Sequence, residues 1–456
     1  MKALDLQTSF DAIIMGAGPA GATAAILLAR AGWSVALVEK QAFPRRKVCG
    51  ECIAASNFPL LDALGLWATG TSLEAVAGLP LRRVALMSGR HTITADLPAA
   101  SHPFHPWGRA LGRETLDTLL LAQAKSAGAV VFQPWSVRQL RGTAGDHQCE
   151  IRAADSGQNA LLRAPVLIAA HGSWEPLPSG RPARRLGRRA SDLFAFKANF
   201  SGAQLADGLL PVLSFNGGYG GMVVAGDGLL TLACCIREDK LEACRAAADG
   251  MRAGDAVEAL LRRECCGVAD ALAGAHLEGP WLASGPLAPG VRLGHSEDFF
   301  RIGNAAGEAH PIIGEGISMA MQSAWLLCAR LLAAVRPQRG LSDAAWQRAV
   351  GKRYAADWHR HFATRLRLAA VFAHIAMRPA LSLPFLAISG CCPSLLSLGV
   401  RWSGKLRCAP SPSIISSLAA GSPVLGGQLV PAGDVNLRLD HRNTNTNESA
   451  THDKHL

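Results

Sequence analysis

Six consecutive residues, Gly16-Ala17-Gly18-Pro19-Ala20-Gly21, have the types and the spacing needed to hold a pyrophosphate. Gly16 permits a tight turn, Gly18 lets the backbone approach the phosphates, and Gly21 lets a helix pack closely on a strand. The free N–H groups and partial positive charge of the helix N-terminus then face the anion. Glu39, 18 positions after Gly21, can accept hydrogen bonds from a ribose diol. Alone this glycine spacing is a weak signal, because a glycine-rich turn without a ligand shares it. Here an apolar strand precedes it and a helix follows, which makes it specific for a dinucleotide. The motif itself admits NAD, FAD or, less well, S-adenosylmethionine.

Other residues could move electrons or protons. Cys49 and Cys52 form a CxxC that could act as a redox dithiol, although no second GxGxxG is present to serve it. His310, next to Pro311, could donate a proton to a reduced double bond or simply shape a turn. Glu51 and Glu315 lie in the same class. Tyr219, set between glycines in NGGYGG, either faces a cavity or packs within a strand. No metal is expected.

These residues need elements to hold them. Residues 11–15 (DAIIM) predict a buried parallel strand, 20–31 a helix rich in Ala and Leu, and 34–38 the next strand. Residues 112–127 have helical spacing, and 129–132 and 165–170 predict further strands. Residues 187–290 predict strands and turns with a helical patch near 239–265. A strand at 299–302 opens into GNAAGEAHPIIGEGIS, followed by a helix from about 316 to 335. Residues 342–377 predict a helix rich in Arg, and 379–400 hold no charged side chain.

That late block, with GAGPAG and Glu39, RKVCGE at 46–51 and GRETLD at 112–117, resembles the FAD-dependent para-hydroxybenzoate hydroxylase-like superfamily, in its geranylgeranyl reductase and flavoprotein dehydrogenase branch. The resemblance covers about residues 10–375. It implies an α/β chain (α+β overall): a Rossmann-like FAD domain of the glutathione-reductase type, an inserted β-sheet substrate domain and a C-terminal helical segment. The FAD domain would comprise 1–78, 107–182 and 289–340, the substrate domain 79–106 and 183–288, and the helical segment 341–408. It implies FAD contacts from Gly16, Gly18, Pro19, Ala20, Gly21, Glu39, Lys40, Arg46, Cys49, Gly50, Arg113, Asn304, Pro311, Gly314, Gly316 and Ile317. Candidates for the chemistry are His310, Glu51 and Cys49, with Tyr219 on the substrate. Two positions depart from the pattern. His171-Gly172 replaces the usual Asp-Gly, which supports NADPH use in the hydroxylases, and Gly303-Asn304 replaces Gly-Asp. NADPH or NADH is the expected transient reductant, or else a reductase or electron-carrier partner. The WxWxIP motif of flavin halogenases is absent. The expected reaction is hydride exchange with a carbon–carbon bond of an apolar polyketide, isoprenoid or lipid-like molecule. The alternatives are a monooxygenase or a membrane-associated electron-transfer flavoprotein.

Composition agrees with a folded enzyme of two or three domains: 456 residues, 49% apolar and 18% charged. A net charge of +11 suits a phosphate-bearing ligand or an anionic membrane surface. No nucleic-acid motif accompanies it, so nucleic acid is not an expected partner. The twelve cysteines follow no disulfide framework and no signal peptide precedes the first motif, which together place the chain in the cytoplasm. The uncharged stretch 379–400 is long enough to span a bilayer. Its prolines and serines favour surface contact or burial instead, and the former would make the protein peripheral to the membrane. Residues 409–456, rich in Ser, Pro, Gly and then Asn and Thr, predict a disordered tail.

Overall fold

The computed structural model describes residues 8–67, 72–102, 104–173, 188–248, 250–293, 298–334 and 343–402. The expected tail at 409–456 lies outside them.

Five short strands form a parallel sheet in the order Phe300–Arg301, Val166–Ala169, Ala12–Met15, Val35–Val38, Val130–Phe132. The central three are fully buried, which explains why they read as unbroken apolar runs rather than alternating ones. One face is covered by helices Pro19–Arg30, Arg113–Ser126 and Gly316–Ala333, whose Ala and Leu residues make the largest core. The other face is covered by a three-stranded antiparallel sheet, Trp135–Thr143, Asp146–Ala153 and Asn159–Ala164. The result is a doubly covered α/β domain with the mixed α/β character that the sequence leads one to expect.

Close approach at the first turn requires glycine. Gly16 has φ +102°, and a Cβ there would sit 2.6 Å from the Ala170 carbonyl oxygen. A Cβ on Gly21 would sit 1.8 Å from the Gly16 oxygen. The helix can therefore start directly against the sheet, with Pro19 in its first turn and no acidic residue there to cancel its positive end.

A second, eight-stranded sheet has its central run in the order Leu193–Ser201, Leu230–Arg237, Gly218–Val224, Leu209–Phe215, Arg83–Ser88 and His91–Asp96. Residues 83–96 thus join strands more than a hundred positions later, through a parallel pairing of Leu209–Leu213 with Arg83–Met87. Helices Glu238–Ala247, Ala253–Glu264 and Cys266–Ala271 back this sheet and bury its own core. The chain then returns to the first sheet. It ends in a long helix, Asp343–Ala376, followed by Pro379–Cys391 and Ser394–Trp402.

Candidate functional site

A cleft of about 580 Å³ opens between the parallel sheet and the face of the second sheet. One half is lined by Gly16, Gly18, Pro19, Ala20, Glu39, Lys40, Cys49, Gly50, Arg113, Asn304, Pro311, Gly314, Gly316 and Ile317. Segments almost 300 residues apart in sequence thus meet on one wall. The other half is mostly apolar: Phe196, Leu210, Val212, Met222, Val223 and Leu287, with Tyr219 among them.

The glycine turn presents an anion cradle. A Cβ on Gly18 would meet only the guanidinium ends of Arg45 at 3.7 Å and Arg113 at 3.9 Å. Open space above the helix N-terminus is thus flanked by two strong donors. Both arginines are fixed by Asp117, which is fully buried: Arg113 Nε and Nη2 donate to it at 2.9 and 2.8 Å, and Arg45 Nη2 lies at 3.4 Å. Burial works against the charge of Arg113, but Asp117 outweighs it and holds the pKa above its ordinary value. Lys47 also lines the cleft. Burial, helped by Arg45 and Arg113, pushes its pKa down to about 8. Three cations against Asp117 and Glu39 leave the cradle net positive. Glu39 is buried; its Oε2 accepts from the Ala17 amide at 2.9 Å and its Oε1 from Arg45 Nη1 at 2.7 Å. It therefore braces both the glycine turn and Arg45.

The far wall carries the remaining polar groups. Asn304 donates to Ser173 Oγ at 2.9 Å, and its carbonyl accepts from Arg292. His171 faces the cleft with neither ring nitrogen hydrogen-bonded, and burial followed by Arg301 and Arg292 pushes its pKa down to about 4. It is a neutral imidazole where the resemblance implied a carboxylate. A Cβ on Gly50 or Gly316 would meet nothing within 4 Å, so both glycines border open space. The cradle, the unpaired imidazole and the helix beginning at Gly316 fit a dinucleotide carrying a flat ring system.

Three expected site residues sit elsewhere. Gly21 does not line the cleft; it provides the helix–turn contact described above. Arg46 points away, with Nε 3.9 Å from Glu114 and its guanidinium beside Gly279. Its neighbour Arg45 faces the cradle, because adjacent residues on an extended stretch point in opposite directions. His310 stands behind the wall, where its Nδ1 lies 3.1 Å from the Tyr219 hydroxyl. Burial raises the Tyr219 pKa and lowers that of His310, so both are neutral. The two candidates, 91 residues apart, form one pair.

Glu51 has a different role from a free acid. It lines the cleft and adopts φ +54°, a conformation rare outside glycine. Its carboxylate accepts from the Arg113 amide at 2.9 Å, Lys197 Nζ at 2.5 Å and Thr231 Oγ1 at 2.8 Å. Both Glu51 and Lys197 are buried, so this ion pair ties the second sheet to the cofactor side. Cys49 and Cys52 both line the cleft, Cys52 from a short buried strand, and no disulfide joins two of the described cysteines. Among the described residues no group of His, Cys, Asp and Glu could hold a metal.

The same assignment comes from known proteins. Residues 9–230 match a family described as FAD binding domain. A tryptophan 2-halogenase from Chondromyces crocatus is 24% identical over 75% of this chain and 64% of its own length. A menaquinone reductase from Mycolicibacterium smegmatis is 26% identical over 88% of this chain and 93% of its own. The chain spans 64% of that halogenase and only 42% of a menaquinone reductase from Mycobacterium tuberculosis. Among solved structures, the flavin-dependent brominase Bmp2 superposes with TM-score 0.69 at 18% identity, covering 90% of this chain and 97% of that one. A geranylgeranyl bacteriochlorophyll reductase-like protein from Thermoplasma acidophilum superposes with TM-score 0.59 at 16% identity, covering 87% and 99%. Halogenases, which the sequence motifs did not suggest, are prominent among these neighbours.

Proposed function

We propose that this chain is an FAD-dependent flavoenzyme that exchanges hydride with a carbon–carbon bond of an apolar isoprenoid, polyketide or lipid-like molecule in the cytoplasm, a reading supported by the FAD binding domain match and the menaquinone reductase relative. The observation that carries the reading is the Tyr219–His310 contact at the apolar wall of the cleft. Bound FAD supplies reversible two-electron transfer. Arg45, Arg113, Lys47 and the N-terminus of the Pro19–Arg30 helix would hold its phosphates, and Asn304 with the turn at Gly314–Gly316 would supply the opposite wall of its site. Phe196, Val212, Met222 and Leu287 exclude water and orient the apolar substrate.

Reducing a double bond also requires a proton. Tyr219 lines the apolar wall, and burial keeps the proton on its hydroxyl until a carbanion-like centre needs it. His310 Nδ1 stands behind it and can restore that proton from the solvent side. Full-length alignment with a menaquinone reductase supports a reductive reaction on a greasy molecule. The electrons would come from NADPH or NADH, or from a reductase partner, which the neutral His171 favours.

Halogenase relatives support a second reading, oxygen-dependent hydroxylation or halogenation of a similar substrate. Anaerobic turnover separates the two. With pre-reduced protein and a panel of polyprenyl substrates, product should gain two hydrogens without oxygen. Tyr219→Phe should slow the reaction about 100-fold with FAD affinity unchanged. Product formed only when oxygen is admitted, carrying an added oxygen or halogen, would replace the first reading with the second.

A further inference from the structure

Helix Pro379–Cys391 has its polarity reversed relative to a helix that packs on a soluble core. Its buried residues are Ser382, Leu386 and Ser389, and Ser389 Oγ has no hydrogen-bond partner. Its solvent face carries Leu381, Leu383, Pro384, Ala387 and Ile388, with the two leucines and Ile388 at 43, 57 and 56% exposure. At 100° per residue these five positions fall within one sector of about 160°. It is a continuous apolar face, not a scatter of single exposed side chains. The helix contains no charged residue.

Charge complementarity indicates what covers this face. The preceding helix, Asp343–Ala376, exposes Arg348, Lys352, Arg353, Arg360 and Arg367. Between residues 344 and 376 no exposed carboxylate accompanies them, because Asp357 is buried against Arg330. Arg378 stands at the corner between the two helices. A cationic helix leading into an uncharged apolar one suits an anionic lipid surface better than a protein partner. The two helices bend by 100° at that corner, and Ala369, Ala373 and Ala376 are buried on the fold just before it. That geometry lays the apolar helix along a membrane and does not carry it across.

We propose that Pro379–Cys391 docks this protein on anionic bilayers. The root of this helix packs behind the cleft wall, against strands that line it. The Met377 carbonyl accepts from the Gly217 amide at 2.9 Å, the Ala376 carbonyl accepts from Ser214 Oγ at 2.8 Å, and Ala373 and Ala376 pack near Tyr219. Docking therefore brings the apolar half of the cleft close to the lipid. The inference does not depend on which reaction the cleft performs.

Flotation of the full-length, FAD-loaded protein tests it, using vesicles of phosphatidylcholine alone or mixed equally with phosphatidylglycerol. The protein should float with the anionic vesicles and be released by high salt. Leu383→Asp with Ile388→Asp, both at exposed positions, should lower binding about tenfold or more while the flavin spectrum and melting temperature stay unchanged. Failure of the unmodified protein to float, or equal binding by the double variant, would overturn the proposal. So would a dimer, detected by sedimentation velocity, that the same substitutions dissolve without any lipid binding.

Discussion

Lys47 is the cradle residue whose charge changes nearest neutral pH. Its pKa of about 8 means that it is charged below that pH and loses its charge above it. A bound pyrophosphate favours the charged form, so binding FAD above pH 8 requires Lys47 to take up a proton. FAD affinity should therefore hold steady up to about pH 8 and then fall by up to about tenfold per pH unit. Titration of apoprotein by flavin fluorescence measures this. Lys47→Met should flatten the pH dependence, and an unchanged slope in that variant would assign it to another group. Lys47 lies within, and Arg45 just before, the RKVCGE segment quoted for the resemblance, yet neither is among the contacts it implies. In RRK the three cations look equivalent in sequence, and only the backbone direction decides which of them face the cleft.

Among the elements, the glycine turn and its helix were the most legible. Gly21→Ala tests why: a methyl group 1.8 Å from the Gly16 oxygen must push the helix off the sheet. We expect a loss of about 1–3 kcal/mol in stability, together with weakened FAD binding. Gly316→Ala, with nothing within 4 Å, should cost far less stability, as thermal denaturation of both variants would show. The strands at 12–15, 35–38 and 166–169 were readable because burial on both faces demands unbroken apolar runs. The three-stranded sheet at 135–164 was not read. Its first strand is half-exposed and carries Arg138, Gln139 and Arg141, so no clean alternation marks it. The parallel pairing of residues 83–87 with 209–213 was equally hidden, because register across 120 residues leaves no local trace.

At the scale of the whole molecule, the Glu51–Lys197 pair ties the second sheet to the segment that carries Cys49 and Gly50 along the cleft. Nothing in the local run AFKANF marks Lys197 as buried, yet it is 1% exposed, and only tertiary packing reveals its partner. Lys197→Met should leave an uncompensated buried carboxylate and cost about 3–5 kcal/mol. Lys197→Met combined with Glu51→Gln should recover part of that loss in chemical denaturation, and additive losses would mean that the two residues are not coupled. The pair also holds the Arg113 amide, so the single variant should release FAD more readily. All of this rests on the cleft being a flavin site with the Gly18 cradle at its phosphate end. The most direct test is the visible absorption spectrum of the purified protein, alongside Arg45→Ala/Arg113→Ala. The native protein should show oxidised flavin bands, retained after desalting or restored by added FAD, and the double variant should lose them while keeping its fold. A native protein that stays colourless in excess FAD, or a double variant that binds FAD as tightly as the parent, would contradict the account.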